Sequence, residues 1–157
     1  LLLPVISTAA YAEGVVGGLG ASRVSIDPPD FSAVLVNGTI GYQFDSSSEL
    51  SFTPEVRLGY GVSDDRLAGV KVEISHAYGF DIRATLEGDD FYGFLVPSYT
   101  KYKVKASAGP AKATASDWEF GIGIGGGYRL TDHIAVEISY EKVSDADVLG
   151  AGIRLNF

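Results

Sequence analysis

The segment Ala146 to Phe157 constrains the fold more than any other part of the chain. Leu149, Ala151, Ile153, Leu155 and Phe157 share one parity, while Gly150, Gly152, Arg154 and Asn156 share the other. An apolar face set against a small or polar face at period two marks a β-strand. The strand runs to an aromatic at the last position, where a soluble chain gains little because ends fray. The same alternation recurs upstream, so this segment is one stave of a repeated all-β pattern.

Eight alternating segments are predicted. The first covers about residues 14–24 and is too rich in glycine for its facing to be assigned. The second sets Val34, Val36, Ile40, Tyr42 and Phe44 against Leu35, Asn37, Thr39 and Gln43. The third sets Phe52, Val56, Leu58, Tyr60 and Val62 against Thr53, Glu55, Arg57 and Gly59. In the fourth, Val70, Val72, Ile74, Tyr78, Phe80 and Ile82 oppose Lys71, Glu73, Ser75, Asp81 and Arg83. The fifth places Tyr92, Phe94, Val96, Tyr102 and Val104 opposite Tyr99, Lys101, Lys103 and Lys105, with Pro97 marking a bulge or kink. The sixth alternates Trp118, Phe120, Ile122, Ile124, Tyr128 and Leu130 with Glu119, Gly121, Gly123, Gly125, Gly127 and Arg129. The seventh alternates Ile134, Val136, Ile138 and Tyr140 with Ala135, Glu137, Ser139 and Glu141, and the eighth is the closing strand.

Composition narrows what such strands can build. The chain has 157 residues, one domain by length, with 20 Gly and 11% aromatics. It has no Cys, which excludes disulfides and thiolate metal sites. A net charge of −8 argues against a nucleic-acid partner held through phosphates. Past residue 12 no stretch approaches the roughly 18 apolar residues of a membrane helix. If the chain enters a bilayer it must therefore do so as a closed barrel, the one β arrangement that leaves no edge unsatisfied in lipid. Residues 1–12, ending Ala10-Tyr11-Ala12, read as the remnant of a secretory signal with an A-x-A site, and a first apolar strand is the alternative. Residues 13–157 then form a single domain.

The charges favour a barrel over a soluble sandwich. Arg57, Lys71, Arg83, Lys101, Lys103, Lys105, Arg129 and Arg154 fall on the parity opposite the aromatic one, as do Glu55, Glu73, Asp81, Glu119, Glu137 and Glu141. Mixed charge on one face suits a narrow lumen, and aromatics near segment ends suit interfacial girdles. A lumen ion-pair network is expected from Glu55, Arg57, Lys71, Glu73, Asp81, Arg83, Glu119, Arg129, Glu137 and Arg154. Short turns at residues 45–49, 87–90 and 131–133 are expected on the periplasmic side. The connections starting near residues 27–30, 63–66, 106–117 and 143–146 are expected outside. Ile124, Ile138 and Ile153 are candidates for the lipid-facing midplane.

Gly125-Gly126-Gly127-Tyr128-Arg129-Leu130-Thr131-Asp132-His133, running into an alternating strand and followed by a closing strand ending at Phe157, resembles the OmpA/OmpX-like outer-membrane β-barrel family. The resemblance implies an all-β, eight-stranded antiparallel up-and-down transmembrane barrel in the bacterial outer membrane. It implies as partners outer-membrane lipid including lipopolysaccharide, the barrel assembly machinery, and host or envelope surfaces. It also implies that Phe157 serves as an assembly signal.

No catalytic, cofactor or metal site is expected. Ser75 and His76 are neighbours, and a remote alternative is a lipid A-modifying enzyme, yet alternation points the two side chains apart. The acidic pairs Asp64-Asp65, Asp89-Asp90 and Asp145/Asp147 lack EF-hand spacing and read as solvated turns. The glycine run from Gly121 to Gly127 is followed by no helix, so it is no phosphate loop; it leaves room for long basic side chains. The lysine row Lys101, Lys103, Lys105 is suited to lipid A groups or an anionic solute, but more often such a row is partnered by lumen glutamates or emerges into solvent near the outer rim. Two functions stay open: a filled barrel serving envelope structure or surface interaction through its extracellular loops, or a narrow channel for small solutes.

Overall fold

The computed structural model describes residues 13–27, 31–45, 49–67 and 69–157, and within them the alternating segments become antiparallel strands. The signal remnant at residues 1–12 lies outside the described residues, as do the middles of the turns at 27–30 and 45–49. In chain order the strands are β1 (Gly14–Ile26), β2 (Phe31–Asp45), β3 (Leu50–Gly61), β4 (Asp64–Leu67), β5 (Val70–Glu87), β6 (Phe91–Ala108), β7 (Ala111–Arg129), β8 (Ile134–Val143) and β9 (Ala146–Asn156). β1 closes on β9 from Val16↔Asn156 to Ile26↔Ala146, and β3 pairs with β5 from Leu50↔Leu86 to Tyr60↔His76. Every strand except β4 therefore has a neighbour on both sides, giving an eight-stranded ring with the short β4 added on β5 beside β3.

Alternation turns this ring into a barrel with an apolar outside. Ile40, Val56, Ile82, Ile122, Ile124 and Ile138 all point outward and are at least half exposed. Aromatic belts flank them. Toward the extracellular end Tyr99 stacks on Trp118 with ring centroids 5.0 Å apart, and Tyr78 meets the same indole edge-on at 5.7 Å. Toward the periplasmic end Phe91 and Tyr128 lie 4.8 Å apart, as do Tyr42 and Phe44. Two such belts around an apolar band are the cross-section of an outer-membrane barrel.

Three details differ from the sequence expectation. First, β6 is turned over: Tyr92, Phe94 and Val96 are buried in the lumen, and Lys101, Lys103 and Lys105 lie on the outer face. The glycines of β7 explain the inversion. Phe94 pairs with Gly125 and Tyr92 with Gly127, and a side chain at either glycine would collide with the facing ring. The glycine row thus makes room for two aromatic rings, not for long basic side chains.

Second, a bulge sits in β5 at Ser75, where the register with β6 shifts between Ile74 and His76. One extra residue exchanges the two faces. Ile74 points in above the bulge, Ala77 and Asp81 point in below it, and Lys71 and Glu73 are carried to the outside. Pro97 carries no bulge: β6 keeps one register with β7 through Val96↔Gly123, Pro97↔Ile122 and Ser98↔Gly121.

Third, residues 106–117 are not a loop. β6 and β7 run on as a hairpin to Ala108↔Ala111, turned by Gly109-Pro110 with Gly109 at φ 58°. Glycine at the first central position is what such a two-residue turn requires. β8 pairs with β7 only from Gly121↔Val143, so the hairpin projects beyond the ring.

Candidate functional site: the charged lumen and its rims

Inward positions on β3, β5, β8 and β9 stack ion pairs along the barrel axis. In the upper tier Arg57 on β3 donates to Asp81 Oδ2 from Nε at 3.0 Å and from Nη2 at 2.8 Å. Its Nη1 reaches across the lumen to Glu141 Oε2 at 2.7 Å, and Ser98 donates to the other oxygen of Glu141. In the middle tier Arg83 on β5 grips Glu137 on β8 with both guanidinium nitrogens, at 2.8 and 3.1 Å. Tyr92 donates to the same carboxylate at 2.7 Å, and the Arg83 guanidinium lies 3.9 Å from the Phe94 ring centroid. Arg154 on β9 donates to Glu55 on β3, which also lies 3.6 Å from Arg83 Nε. Below these, Arg129 pairs with Glu87, donates to the Gly88 carbonyl at 3.1 Å and covers the Tyr92 ring at 4.5 Å.

Burial and geometry explain why arginine takes these places. A planar fork offers parallel N–H bonds to both oxygens of one carboxylate or fixed bonds to two, and its flat face stacks on aromatics; an ammonium is a point charge without that fork. Asp81, Glu55 and Arg154 are all nearly sealed from solvent, so each charge depends on its partners. A space of about 140 Å³ remains in the lumen, lined by apolar and charged side chains alike, with Asp81 and Thr100 at its polar part. Asp81 Oδ1 and Thr100 Oγ1 have no protein hydrogen-bond partner, and a space of that size and polarity accommodates water.

Of the residues expected in the network, Glu55, Arg57, Asp81, Arg83, Glu137 and Arg154 meet within it, and Arg129 forms the tier below. Glu119 faces inward near the extracellular mouth and accepts the Ser144 hydroxyl. Lys71 and Glu73 do not join. The Ser75 bulge puts them on the outside, where Lys71 Nζ lies 3.0 Å from Asp64 and 3.8 Å from Glu73. There the Lys71 ammonium holds the exposed Asp64 carboxyl below its ordinary range, chiefly by hydrogen bonding. The sequence places Glu141 on the lumen parity without naming it to the network and sets Tyr92 on the opposite face, while nothing in it singles out Glu87 or Ser98.

Phe157 lies at the periplasmic rim, 78% exposed, with its backbone N–H donating to the Val15 carbonyl at 3.1 Å. The bulge also corrects the Ser75–His76 geometry: the two side chains do not point apart, and Ser75 Oγ lies 3.3 Å from His76 Nδ1. Among the described residues no carboxylate hydrogen-bonds His76 to orient it. Asp64 and Asp147 are each held by a lysine at 3.0 Å, Lys71 and Lys142 respectively. Among the described residues no three potential ligands gather as a metal site would require.

The outer face of the β5–β6–β7 edge gathers positive charge. Lys105, Lys103 and Lys101 descend β6 beside Glu73, His76 and Tyr78 of β5. Lys101 Nζ stands 6.0 Å from the Trp118 ring centroid. The row therefore begins at the extracellular aromatic belt and rises from it.

Comparison with known proteins agrees with this geometry. The family model for the outer membrane protein beta-barrel domain matches residues 1–157. No curated protein matches the sequence. The N-terminal β-barrel domain of Pseudomonas aeruginosa OprF is similar at TM-score 0.65 and 16% identity, over 93% of this chain and 100% of that one. Neisserial surface protein A is similar at TM-score 0.62 and 15% identity, over 91% and 96%. The attachment invasion locus protein Ail of Yersinia pestis is similar at TM-score 0.59 and 15% identity, over 91% and 97%.

Proposed function

Because the chain belongs to the outer membrane protein β-barrel family, we propose that it is a non-conducting, non-enzymatic surface-interaction barrel of the outer membrane. The observation that carries this reading is the cross-lumen pairing of Arg57 with Glu141, Arg83 with Glu137 and Arg154 with Glu55. An eight-stranded barrel is just wide enough for side chains to fill, and these span it wall to wall. Moving solute through it would require breaking several buried ion pairs together. Single-channel recording in planar bilayers tests this. The expected trace shows no stable open level; steady ohmic steps from folded protein would favour the narrow channel instead.

The outward lysine row supports a partner. Lipid-facing ammonium groups on flexible stems, next to an interfacial tryptophan, reach into a headgroup layer. Outer-leaflet lipopolysaccharide presents phosphates at that depth. Ail of Yersinia pestis has been solved in complex with the heparin analogue sucrose octasulfate, in a structure similar to this one at TM-score 0.55. A lysine that pairs with phosphate also pairs with sulfate, since both are tetrahedral oxyanions. Each lysine near an anionic surface contributes about 1 kcal/mol, or about fivefold in affinity. Substituting Lys101, Lys103 and Lys105 together by Gln should sharply lower the lipopolysaccharide retained per protein after detergent exchange. Equal retention would remove this partner from the reading.

A further inference from the structure

Above the Arg57 tier the inward face changes character. Val24, Phe31, Leu35, Ile74, Val143 and Val148 form a buried apolar cluster in the half of the lumen nearest the extracellular mouth. Over it lies a cavity of about 380 Å³ walled by Val24, Ile26, Phe31, Val72, Val104 and Val148. That volume lies within the range of small-molecule sites, which are largely apolar with a few placed polar groups. A filled barrel has no structural need for it. The Ser75 bulge helps create it, because without that extra residue Val72 would point to the outside and Lys71 to the inside.

One edge of the cavity is different. Glu119, Ser144 and Asp145 line it from β7 and the β8–β9 turn. Ser144 adopts φ 49°, a left-handed conformation unusual for serine, and its hydroxyl donates to Glu119 Oε2. This bond fixes the turn so that Asp145 stands on the same edge. Among the described residues no cation lies within ion-pair distance of Glu119 or Asp145. The nearby Lys142 is held by Asp147 at 3.0 Å. An apolar cup with two carboxylates on one side, neither in contact with a cation although Lys142 lies in the field of Asp145, complements an apolar body carrying a positive head.

We propose that the extracellular mouth of this barrel is a binding site for a small cationic amphiphile, its apolar part in the cup and its ammonium head at Glu119 and Asp145. The test uses the barrel in phospholipid nanodiscs with methyl-labelled valine and isoleucine, titrated with hexyl- and octyltrimethylammonium, octanol and octanoate. Saturable shifts are expected at the methyls of Val24, Val104, Val143 and Val148, with affinity rising about fourfold per added methylene. Glu119→Gln should weaken the cations by up to about fivefold and leave octanol unchanged. Shifts confined to the lipid-facing Ile138 and Ile153 would mean partition into the bilayer and overturn the site. Octanoate binding as tightly as the octyl cation would overturn the assignment of the head. Ala146→Phe, which narrows the cup, should abolish the valine shifts. The wild-type map decides the question even if that variant fails to fold.

Discussion

Arg83→Ala is expected to cost about 3–5 kcal/mol of folding stability, the usual penalty for removing one partner of a buried ion pair. The change strips Glu137 of both guanidinium bonds and leaves it with only the Tyr92 hydroxyl. It also removes the second cation beside Glu55 and the cation over the Phe94 ring. An equilibrium urea titration of folding into lipid vesicles measures the loss. Removing both charges with Arg83→Met and Glu137→Leu should restore much of the stability, because no unpaired carboxylate then remains in the middle tier. A loss below about 1 kcal/mol for Arg83→Ala would indicate that water solvates Glu137 freely. The lumen could not then be closed at that tier.

Ile138→Arg should cost about 2–4 kcal/mol in the same titration, the penalty for a cation at the midplane of such a barrel. Ile138 is 69% exposed on the outer face, and its strand neighbours are Gly126 and Ala151. Neither offers a side chain that would shelter a guanidinium from lipid. Ile134→Arg, on the same face nearer the periplasmic rim, should cost only about 0–1 kcal/mol. Equal losses at the two sites would contradict the placement of Ile138 at mid-depth.

Most of the architecture was legible because a lipid-facing strand has little freedom in its outer parity. The charged positions of β3, β8 and β9 followed directly: Glu55, Arg57, Glu137 and Arg154 alternate with aliphatic residues that have nowhere to go but lipid. β6 was misread because both of its faces contain large side chains, and period two separates faces without saying which is inside. Gly125 and Gly127 held the missing information, since glycine on an inward face implies a bulky neighbour across the ladder. Lys71 and Glu73 are displaced by a single residue: Ser75-His76 bears no glycine or proline to announce a bulge, yet it exchanges the two faces of β5 before it. Glu87 falls within the short turn expected at residues 87–90, yet it continues the inward parity of Arg83 and Thr85.

The ion pairs join walls that are far apart along the chain. Arg154 and Glu55 are 99 positions apart, and Arg57 and Glu141 are 84. Neither pair can form in a growing hairpin or an open sheet; each exists only once the first and last strands have met. The tiers therefore contribute little to the speed of insertion and act as latches set after closure. Interactions absent from the transition state chiefly slow the reverse step. The ion-paired lumen thereby also sets how long the barrel stays assembled, which makes its stability a matter of lifetime as much as of equilibrium.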